Sequence, residues 1–457
     1  MPAHEKNIGE NISDYVKVVC EQIRWKKARQ RVSEEMTAHI VDGRDAYMEQ
    51  GISEQEATAK AIADTGDATM LGANFDRIHR PKPQWGMLAA VAVFLALGIV
   101  LELLFPHPFY SVGIQARLVF TAIGVWVMFG TYFLDFTILG KYSHKIFWFL
   151  VGFSMFMLIF GNIFGRMHFA YWITIGPVTL SISTILALTL IFPLVFAACV
   201  FSLRNRGFKG FMLALFAYGL LCLITVGFSN FAALFHFFVV GMAILLIAII
   251  KNWFASNRVI CALVSILPFA LISVFALISV GFRSARLVAA FNPSLDPFGA
   301  GFLGSMTRRI LGNAEWLGRG ELTLGERTIE NAVYILPDAT SNSLLTTFIF
   351  RFGWLPFIAI MAALLAFIIF GFIRSFKHRS GLGFFVSFAV MATFTFQVVT
   401  YVTFNLGFTL TQITLPLIAP GNSTLIVNLG LVGFMLSVFR NGDATADKDL
   451  IPAIIES

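Results

Sequence analysis

The residues best suited to chemistry lie in one polar, glycine-rich segment, 282–343, of an otherwise apolar chain. A carboxylate there could remove a proton from a hydroxyl group, and arginines or a divalent cation, Mg²⁺ or Mn²⁺, could stabilise a departing anionic group. The segment therefore carries the side chains needed for group transfer to a hydroxyl acceptor. Its cations are Arg283, Arg286, Arg308, Arg309, Arg319 and Arg327. Its acids are Asp296, Glu315, Glu321, Glu326, Glu330 and Asp338.

Charged side chains inside apolar sequence are rare and indicate pairing or function. Glu102 lies near the end of an apolar run and is expected to reach water. Asp135 and Arg351 are candidates for a buried pair or for the lining of a cavity. His236 and Gln397 are expected to satisfy neighbouring helices rather than to catalyse a reaction.

The elements that must position these residues are membrane helices. Hydrophobic residues make up 57% of the 457 positions and charged residues 13%, against about 25% charged in soluble domains. A helix needs roughly 20 apolar residues to cross a bilayer. Ten windows fit: 85–105, 118–139, 146–165, 175–202, 210–228, 231–250, 259–281, 344–373, 383–404 and 419–439. The predicted fold is all-α and polytopic, and Pro177, Pro193 and Pro356 are places where the long fourth and eighth spans could kink.

Basic residues in the short loops alternate in a way that predicts orientation. The loops after spans one, three, five and nine hold only Arg117 and Arg166. The other short loops hold Lys141, Lys145, Arg204, Arg206, Lys209, Lys251, Arg258, Arg374, Lys377 and Arg379. Both termini, including the tail 441–457, are therefore expected in the cytoplasm and the segment 282–343 outside. This distribution accounts for the net charge of +7, so we expect no nucleic-acid partner.

Residues 1–80 form a charged head ahead of the membrane domain 85–440, and 81–84 read as a linker. The apolar spacing in the head predicts three or four short helices. The head contains Gly51-Ile-Ser-Glu-Gln-Glu-Ala57 and Asp64-Thr-Gly-Asp-Ala68. This pattern resembles the permease prefix domain, a helical module ahead of membrane proteins in Gram-positive bacteria. The resemblance implies a docking platform for a cytoplasmic regulator, and a folding cap is the alternative. Because no apolar stretch precedes Trp85, the first span is expected to serve as the insertion signal.

The outer segment begins Arg286-Leu-Val-Ala-Ala-Phe-Asn-Pro-Ser-Leu-Asp-Pro-Phe-Gly-Ala-Gly301 and closes Leu336-Pro-Asp-Ala-Thr-Ser-Asn342. It resembles the SEDS family (RodA, FtsW, SpoVE), whose loop has Asn-Pro, Asp-Pro and Gly-Ala-Gly-Tyr, then Leu-Pro-Glu-Ala-His-Thr-Asp. Members polymerise the lipid-linked precursor of peptidoglycan, and the last aspartate is their catalytic carboxylate. The resemblance implies lipid II or a related undecaprenyl-linked precursor as substrate and a class B penicillin-binding protein as partner.

Asn342 stands where the family has its catalytic aspartate. An asparagine cannot usefully accept a proton near neutral pH, so polymerase activity is lost if position 342 must supply the base. Asp338, four residues earlier, could take over that role. Arg351 stands where the family keeps a glutamate, which reverses the local charge. The resemblance makes Arg286, Asp296, Arg308, Arg309 and Arg351 candidates for substrate binding. For Asp296 and its neighbouring glycines, turn formation is the simpler interpretation.

A further likeness lies at the start of the last span, in Leu415-Pro-Leu-Ile-Ala-Pro-Gly-Asn-Ser-Thr424 and Asn428-Leu429. It is similar to the family's Leu-Pro-x-x-Ser-Tyr-Gly-Gly-Ser-Ser and Asn-Leu. Gly421, Ser423 and Asn428 match and are further candidates for substrate binding by resemblance. The stretch is predicted to be a polar break in the membrane, which is tolerable only if it faces protein or water.

Three functions stay open at this point. The first is a glycosyltransferase that polymerises lipid II in the bacterial plasma membrane. The second is a catalytically degenerate scaffold or regulator of a cell-wall synthase in division, elongation or sporulation. The third is a transporter of the lipid-linked precursor, which is disfavoured because the chain has no obvious internal repeat. The eight histidines show no metal-ligand spacing, so a divalent cation is the sole cofactor considered.

Overall fold

The computed structural model describes residues 2–79, 83–105, 113–163, 170–175, 178–228, 230–266, 287–324, 327–329, 336, 339–411, 413–420 and 422–441. The chain separates into two compact units, one containing Met1–Pro83 and the other starting at Gln84. Helices dominate both units, which confirms the predicted all-α, polytopic fold class.

The head is a cluster of four helices: α1 (Pro2–Gln22), α2 (Lys26–Glu49), α3 (Glu54–Thr65) and α4 (Ala68–His79). Val19, Ile23 and Val32 are fully buried between them. Gly51 and Gly66 follow α2 and α3 with φ angles of 84° and 95°, a conformation open to glycine at little cost. The predicted helical head is therefore present, and glycines end two of its helices.

The membrane unit begins with α5 (Trp85–Leu104), α6 (Gly113–Phe133), α7 (Thr137–Lys141) and α8 (Ser143–Ile163). A hairpin, β1 (Ala170–Ile175) and β2 (Val178–Ser183), leads into α9 (Thr184–Thr189), α10 (Phe192–Ser202), α11 (Gly207–Gly227) and α12 (Phe231–Ile250). Helical residues 258–266 and 287–291 are α13 and α14. A 3-10 turn (Pro293–Leu295), α15 (Phe302–Gly312), β3 (Leu322–Leu324) and β4 (Arg327–Ile329) follow. The unit ends with α16 (Leu344–Phe352), α17 (Trp354–Phe376), α18 (Gly381–Asn405) and α19 (Asn422–Asn441).

Seven helices in the described part of the chain are long and apolar enough to cross a membrane: α5, α6, α11, α12, α17, α18 and α19. Two shorter apolar helical stretches, Ser143–Ile159 and Ala187–Ser202, overlap the third and fourth predicted spans. The predicted span 259–281 is described only as far as residue 266. The protein is therefore an integral membrane protein.

Two predicted spans are not continuous helices. The window 175–202 starts in the antiparallel hairpin, where Ile175 pairs with Val178, because an apolar run alone does not separate a strand from a buried helix. The window 344–373 breaks at Gly353, whose φ is 93°. Pro356, predicted as the kink, lies instead in the first turn of α17, where proline replaces no helical hydrogen bond.

Close backbone approach fixes the last span against α6. A Cβ atom on Gly433 would lie 2.0 Å from the Thr131 hydroxyl and 2.4 Å from the Met128 carbonyl oxygen. The Thr131 hydroxyl also donates to the Gly430 carbonyl at 3.1 Å. This contact positions the irregular residues that precede α19 beside the start of α6.

Candidate functional site

The residues just before α16 form a turn, 339–343, that contains Asn342, and we call it the clamped turn. Asn405 at the end of α18 holds it. Its Nδ2 donates to the Asn342 carbonyl at 2.9 Å, and its Oδ1 accepts from the Thr346 amide at 3.0 Å. Asn405 is 2% exposed, so both bonds are protected from water.

Further buried hydroxyl groups complete the clamp. The Tyr401 hydroxyl, one helical turn before Asn405 on α18, donates to the Ser341 carbonyl. The Thr347 hydroxyl donates to the carbonyls of Ala339 at 3.0 Å and Ser343 at 3.1 Å. The turn is thus fixed through its carbonyl groups, while the Asn342 side chain remains partly exposed. The backbone is therefore held firmly at the position that the resemblance assigns to the catalytic residue.

A second irregular segment, 413–420, leads towards α19, and we call it the polar break. Arg117 on α6 donates to three of its carbonyls: Ala419 at 2.7 Å, Leu417 at 2.8 Å and Ile418 at 3.1 Å. Leu417 has a φ of 68°. The predicted break is therefore present and faces protein. Arg117, which the sequence placed in a loop, is 2% exposed inside a helix.

The neighbouring helix α5 is adapted to this arginine. A Cβ atom on Gly98 would lie 2.2 Å from the Arg117 Nη2 and 2.6 Å from the Ile418 carbonyl oxygen, so a glycine is needed there. Glu102, one turn further along α5, is partly buried and interacts electrostatically with Arg117. The expectation that Glu102 simply reaches water is incomplete, because its carboxylate also balances a buried guanidinium.

Arg351 connects α16 to the end of α5. Its Nη1 donates to the Leu104 carbonyl at 3.0 Å, and its guanidinium lies 5.2 Å from the ring centroid of Phe105. Asp135, its predicted partner, instead accepts from the Thr137 amide at 3.2 Å at the start of α7. The Asp135–Arg351 pair considered from the sequence is therefore not formed, and Arg351 instead contacts the end of α5 that carries Glu102.

Asp296 shapes the glycine-rich turn of the outer segment. Its Oδ2 accepts from the Ala300 amide at 2.7 Å. A Cβ atom on Gly299 would lie 2.3 Å from that same oxygen, and one on Gly301 would lie 2.2 Å from the Pro293 carbonyl oxygen. These contacts match the turn-forming interpretation of Asp296 and its glycines.

Arg308 and Arg309 are adjacent on α15 but differ in their surroundings. Arg308 donates to the carbonyls of Ala290 at 3.3 Å and Phe291 at 3.2 Å, and it lies 4.9 Å from the ring centroid of Phe408. Arg309 is exposed to solvent. Of the two, Arg309 has the guanidinium more open to a ligand.

Asn428 forms a reciprocal pair with Gln397 between α19 and α18. Each amide nitrogen donates to the other's oxygen, at 3.0 and 3.1 Å, and both residues are buried. The expectation that Gln397 satisfies a neighbouring helix is confirmed. For His236 that expectation is wrong, because neither ring nitrogen has a hydrogen-bond partner. Ser423 lines an apolar cavity of about 270 Å³ together with residues of α8 and α9.

Three of the predicted site residues, Arg286, Asp338 and Gly421, lie outside the described residues. The role of Asp338 as a relocated base therefore stays a prediction. Within the described ranges, no group of three or more His, Cys, Asp or Glu side chains is arranged to hold a metal ion. A divalent cation would need ligands from the substrate or from residues beyond those ranges.

The head has its own concave surface. A groove of about 720 Å³ opens between α1 and α2, with Ile12, Val16 and Val41 among its apolar lining. Lys17, Arg29 and Arg44 add positive charge to the same lining. Arg44 is already paired with Asp45 at 2.7 Å and Glu54 at 3.5 Å, so Lys17 and Arg29 contribute most of the unbalanced charge.

The fold and its two buried clamps define a polytopic helical membrane protein with a structured polar segment between its seventh and eighth predicted spans. The family model described as "Cell cycle protein", FtsW/RodA/SpoVE, matches residues 84–443. The chain belongs to this family. Family membership confirms the prediction of a SEDS-like membrane protein of bacterial cell-wall synthesis.

Named relatives and a solved structure agree with this assignment. The Probable peptidoglycan glycosyltransferase FtsW of Halothiobacillus neapolitanus is 27% identical over 377 residues, which cover 79% of this chain and 85% of the relative. The protein of the same name from Thioalkalivibrio sp. is 29% identical over 176 residues, which span 37% of this chain and 42% of that relative. A chain from a peptidoglycan synthase complex shares the fold, with a TM-score of 0.57, 19% identity and coverage of 78% of this chain and 98% of that one.

Proposed function

We propose that this protein binds a lipid-linked peptidoglycan precursor beside its clamped turn and serves a cell-wall synthase complex without polymerising the precursor by itself. The observation that carries the proposal is Asn342. It occupies the position that the family resemblance gives to the catalytic aspartate, on a backbone held by Asn405 and Tyr401.

The chemistry of an amide supports binding over catalysis. An asparagine side chain can donate and accept hydrogen bonds with a sugar or a phosphate, but it does not take a proton from an acceptor hydroxyl. Of the described acids in the membrane unit, Glu102 interacts electrostatically with Arg117, and Asp135 and Asp296 accept from amides of their own turns. Glu315 and Glu321 are exposed on the outer segment. Arg309 and the partly exposed Arg351 are available to a phosphate or pyrophosphate group.

An active glycosyltransferase with Asp338 as its base is the second candidate. Asp338 directly precedes Ala339, whose carbonyl is fixed by the Thr347 hydroxyl at 3.0 Å. A carboxylate attached next to a fixed peptide group could be positioned reproducibly, as a general base requires. A divalent cation would serve either candidate by binding the precursor's pyrophosphate.

The partners follow from the same proposal. A class B penicillin-binding protein is the expected enzymatic partner, since the fold is shared with a chain of a peptidoglycan synthase complex. The basic loops favour cytoplasmic termini and an outer position for 282–343. The groove between α1 and α2 is the surface that we assign to a cytoplasmic regulator of the head.

Polymerisation of labelled lipid II in proteoliposomes tests this function. We expect the wild-type protein to bind lipid II and to make no glycan chains, alone or with its penicillin-binding partner. Asn342→Asp should gain polymerisation, because general-base catalysis contributes about 10²–10⁴-fold to a rate. Asn342→Ala is the matched control and should gain nothing.

The variant Asp338→Ala distinguishes the two candidate functions, a non-polymerising protein and a glycosyltransferase with Asp338 as its base. If the wild-type protein polymerises lipid II and Asp338→Ala abolishes the product, the relocated base is correct and the proposal is wrong. Absence of lipid II binding by the wild-type protein would exclude both.

A further inference from the structure

The outer segment exposes large apolar side chains at two separate places. The first, which we call the phenylalanine patch, surrounds the Asp296 turn. Phe298 is 94% exposed, Leu295 66% and Phe291 64%. Phe302 and Phe408 are also exposed and complete the patch. Soluble proteins seldom leave such a group of aromatic and aliphatic side chains uncovered, and a patch of this kind marks an interaction surface.

The phenylalanine patch lies level with the end of a membrane span. The ring of Phe291 packs against that of Phe408 at 6.3 Å between centroids. Phe408 follows the last residue of α18, Asn405, by three positions. Gly304 also lies against this point, since a Cβ atom there would be 3.1 Å from the Gly407 carbonyl oxygen. The patch is therefore held where α18 leaves the apolar part of the bilayer.

The second exposed apolar group, Trp316 and Leu317, lies level with the start of α17. Trp316 is 68% exposed and Leu317 71%. The Trp316 carbonyl accepts from the Leu355 amide at 3.0 Å, and the Glu315 carbonyl accepts from the Trp354 amide at 3.1 Å. Leu355 is itself exposed on α17. Trp316 and Leu317 thus continue the lipid-facing surface of a span.

We infer that residues 291–317 of the outer segment lie on the bilayer and that the phenylalanine patch and Trp316-Leu317 insert into the boundary between lipid headgroups and acyl chains. Both places are tied to the same end of the membrane body, because α17 and α18 are antiparallel neighbours joined by a short loop. Aromatic side chains favour this boundary, and apolar faces there reach about 5–10 Å into it. The exposed Arg309 can extend towards headgroup phosphates, beside Arg308, whose guanidinium is stacked on Phe408.

This inference concerns the surface that receives a lipid-linked molecule and does not depend on whether the protein polymerises one. A segment anchored on both sides would keep the clamped turn at the membrane surface. A lipid-linked headgroup would then meet Asn342 without leaving the bilayer. A protein covering the patches is the competing occupant.

Environment-sensitive labelling tests the inference. Cys20, Cys199, Cys222 and Cys261 are replaced by serine or alanine, and the fluorophore NBD is attached at Phe298→Cys, Leu295→Cys or Trp316→Cys. Asn313→Cys, an exposed polar position between the two places, is the matched control. The purified protein alone is placed in nanodiscs that contain lipids with a shallow or a deep doxyl quencher, after gel filtration confirms that each variant is monodisperse.

We expect blue-shifted emission at 298, 295 and 316, with strong loss of emission to the shallow quencher and weak loss to the deep one. The label at 313 should emit as in water and keep its intensity. Water-like emission at 298 and 316 would overturn the inference. Blue-shifted emission without doxyl quenching would also overturn it, because it would show cover by protein. Equal quenching at 313 would do the same, since it would show proximity of the whole segment rather than insertion of the patches.

Discussion

The clamped turn and the polar break solve one physical problem in two ways. Both place irregular backbone within a helical membrane body, where an unsatisfied carbonyl is costly. The clamped turn is held by neutral groups, mainly Asn405 and Tyr401 on α18. The polar break is held by one charged side chain, Arg117 on α6.

The two clamps differ in what they require of neighbouring residues. The neutral clamp grips main-chain carbonyls of the clamped turn, among them the carbonyl of Asn342. Such a clamp holds the backbone at position 342 through a main-chain carbonyl, a group that every residue type supplies. The charged clamp instead imposes its own requirements, Gly98 to make room and Glu102 to balance the charge.

Replacing the guanidinium should give the largest effect. Arg117→Met removes all donors to three buried carbonyls and leaves Glu102 without its counter-charge. Each buried carbonyl left without its donor costs about 1–3 kcal/mol, so losing all three should cost about 3 kcal/mol or more. The free energy of unfolding, measured by equilibrium titration with SDS in mixed micelles and circular dichroism, should fall by that amount.

Arg309→Met is the control for this change, because Arg309 is exposed. Surface substitutions of this kind change stability by about 0.5 kcal/mol or less. If Arg117→Met is no more destabilising than Arg309→Met, the single-residue clamp is wrong and other groups satisfy the polar break.

Spans with uniform apolar sequence could be predicted closely from the sequence. The window 231–250 coincides with α12, and 383–404 lies within α18. Spans in which the helix is interrupted could not be predicted in this way. The break at Gly353 involves the carbonyls of Glu315 and Trp316, which pair with the start of α17; the sequence indicated a kink nearby at Pro356 but not these distant partners.

The same reason limited prediction of the site. The resemblance identified Asn342 because the motif is local in sequence. It did not identify Arg117, whose partners are carbonyls about 300 residues away, and a lone arginine near the end of an apolar run is usually a loop residue. Asn405 was not identified either, because nothing local in the sequence indicates that its amide reaches the Asn342 carbonyl.

Substitutions in the neutral clamp should lower the stability by different amounts. Asn405→Ala leaves the Thr346 amide and the Asn342 carbonyl without their buried partner, and each such group costs about 1–3 kcal/mol. We expect a loss of stability below that of Arg117→Met, measured in the same SDS titration. Tyr401→Phe removes one hydrogen bond, to Ser341, and should cost about 1 kcal/mol. Equal losses for Asn405→Ala and Tyr401→Phe would argue against Asn405 as the centre of the clamp.

One added methyl group should have an effect as modest as that of Tyr401→Phe. Gly98→Ala places a Cβ atom 2.2 Å from the Arg117 Nη2 and 2.6 Å from the Ile418 carbonyl oxygen, so the guanidinium must shift from the polar break. Overpacking of this kind costs about 1–3 kcal/mol, and we expect the lower part of that range because α5 can move slightly. Gly130→Ala on α6 is the matched control, since a Cβ atom there has nothing within 4 Å.

The pair of glycine variants also tests the coupling between the helix and the clamp. If Gly98→Ala acts by displacing Arg117, the loss it causes should shrink when Arg117→Met is already present, because the shorter, uncharged side chain no longer reaches the carbonyls. Gly130→Ala should instead add independently to Arg117→Met. If the stability losses of both glycine variants add fully to that of Arg117→Met, Gly98 does not act through Arg117, and Arg117 alone holds the polar break.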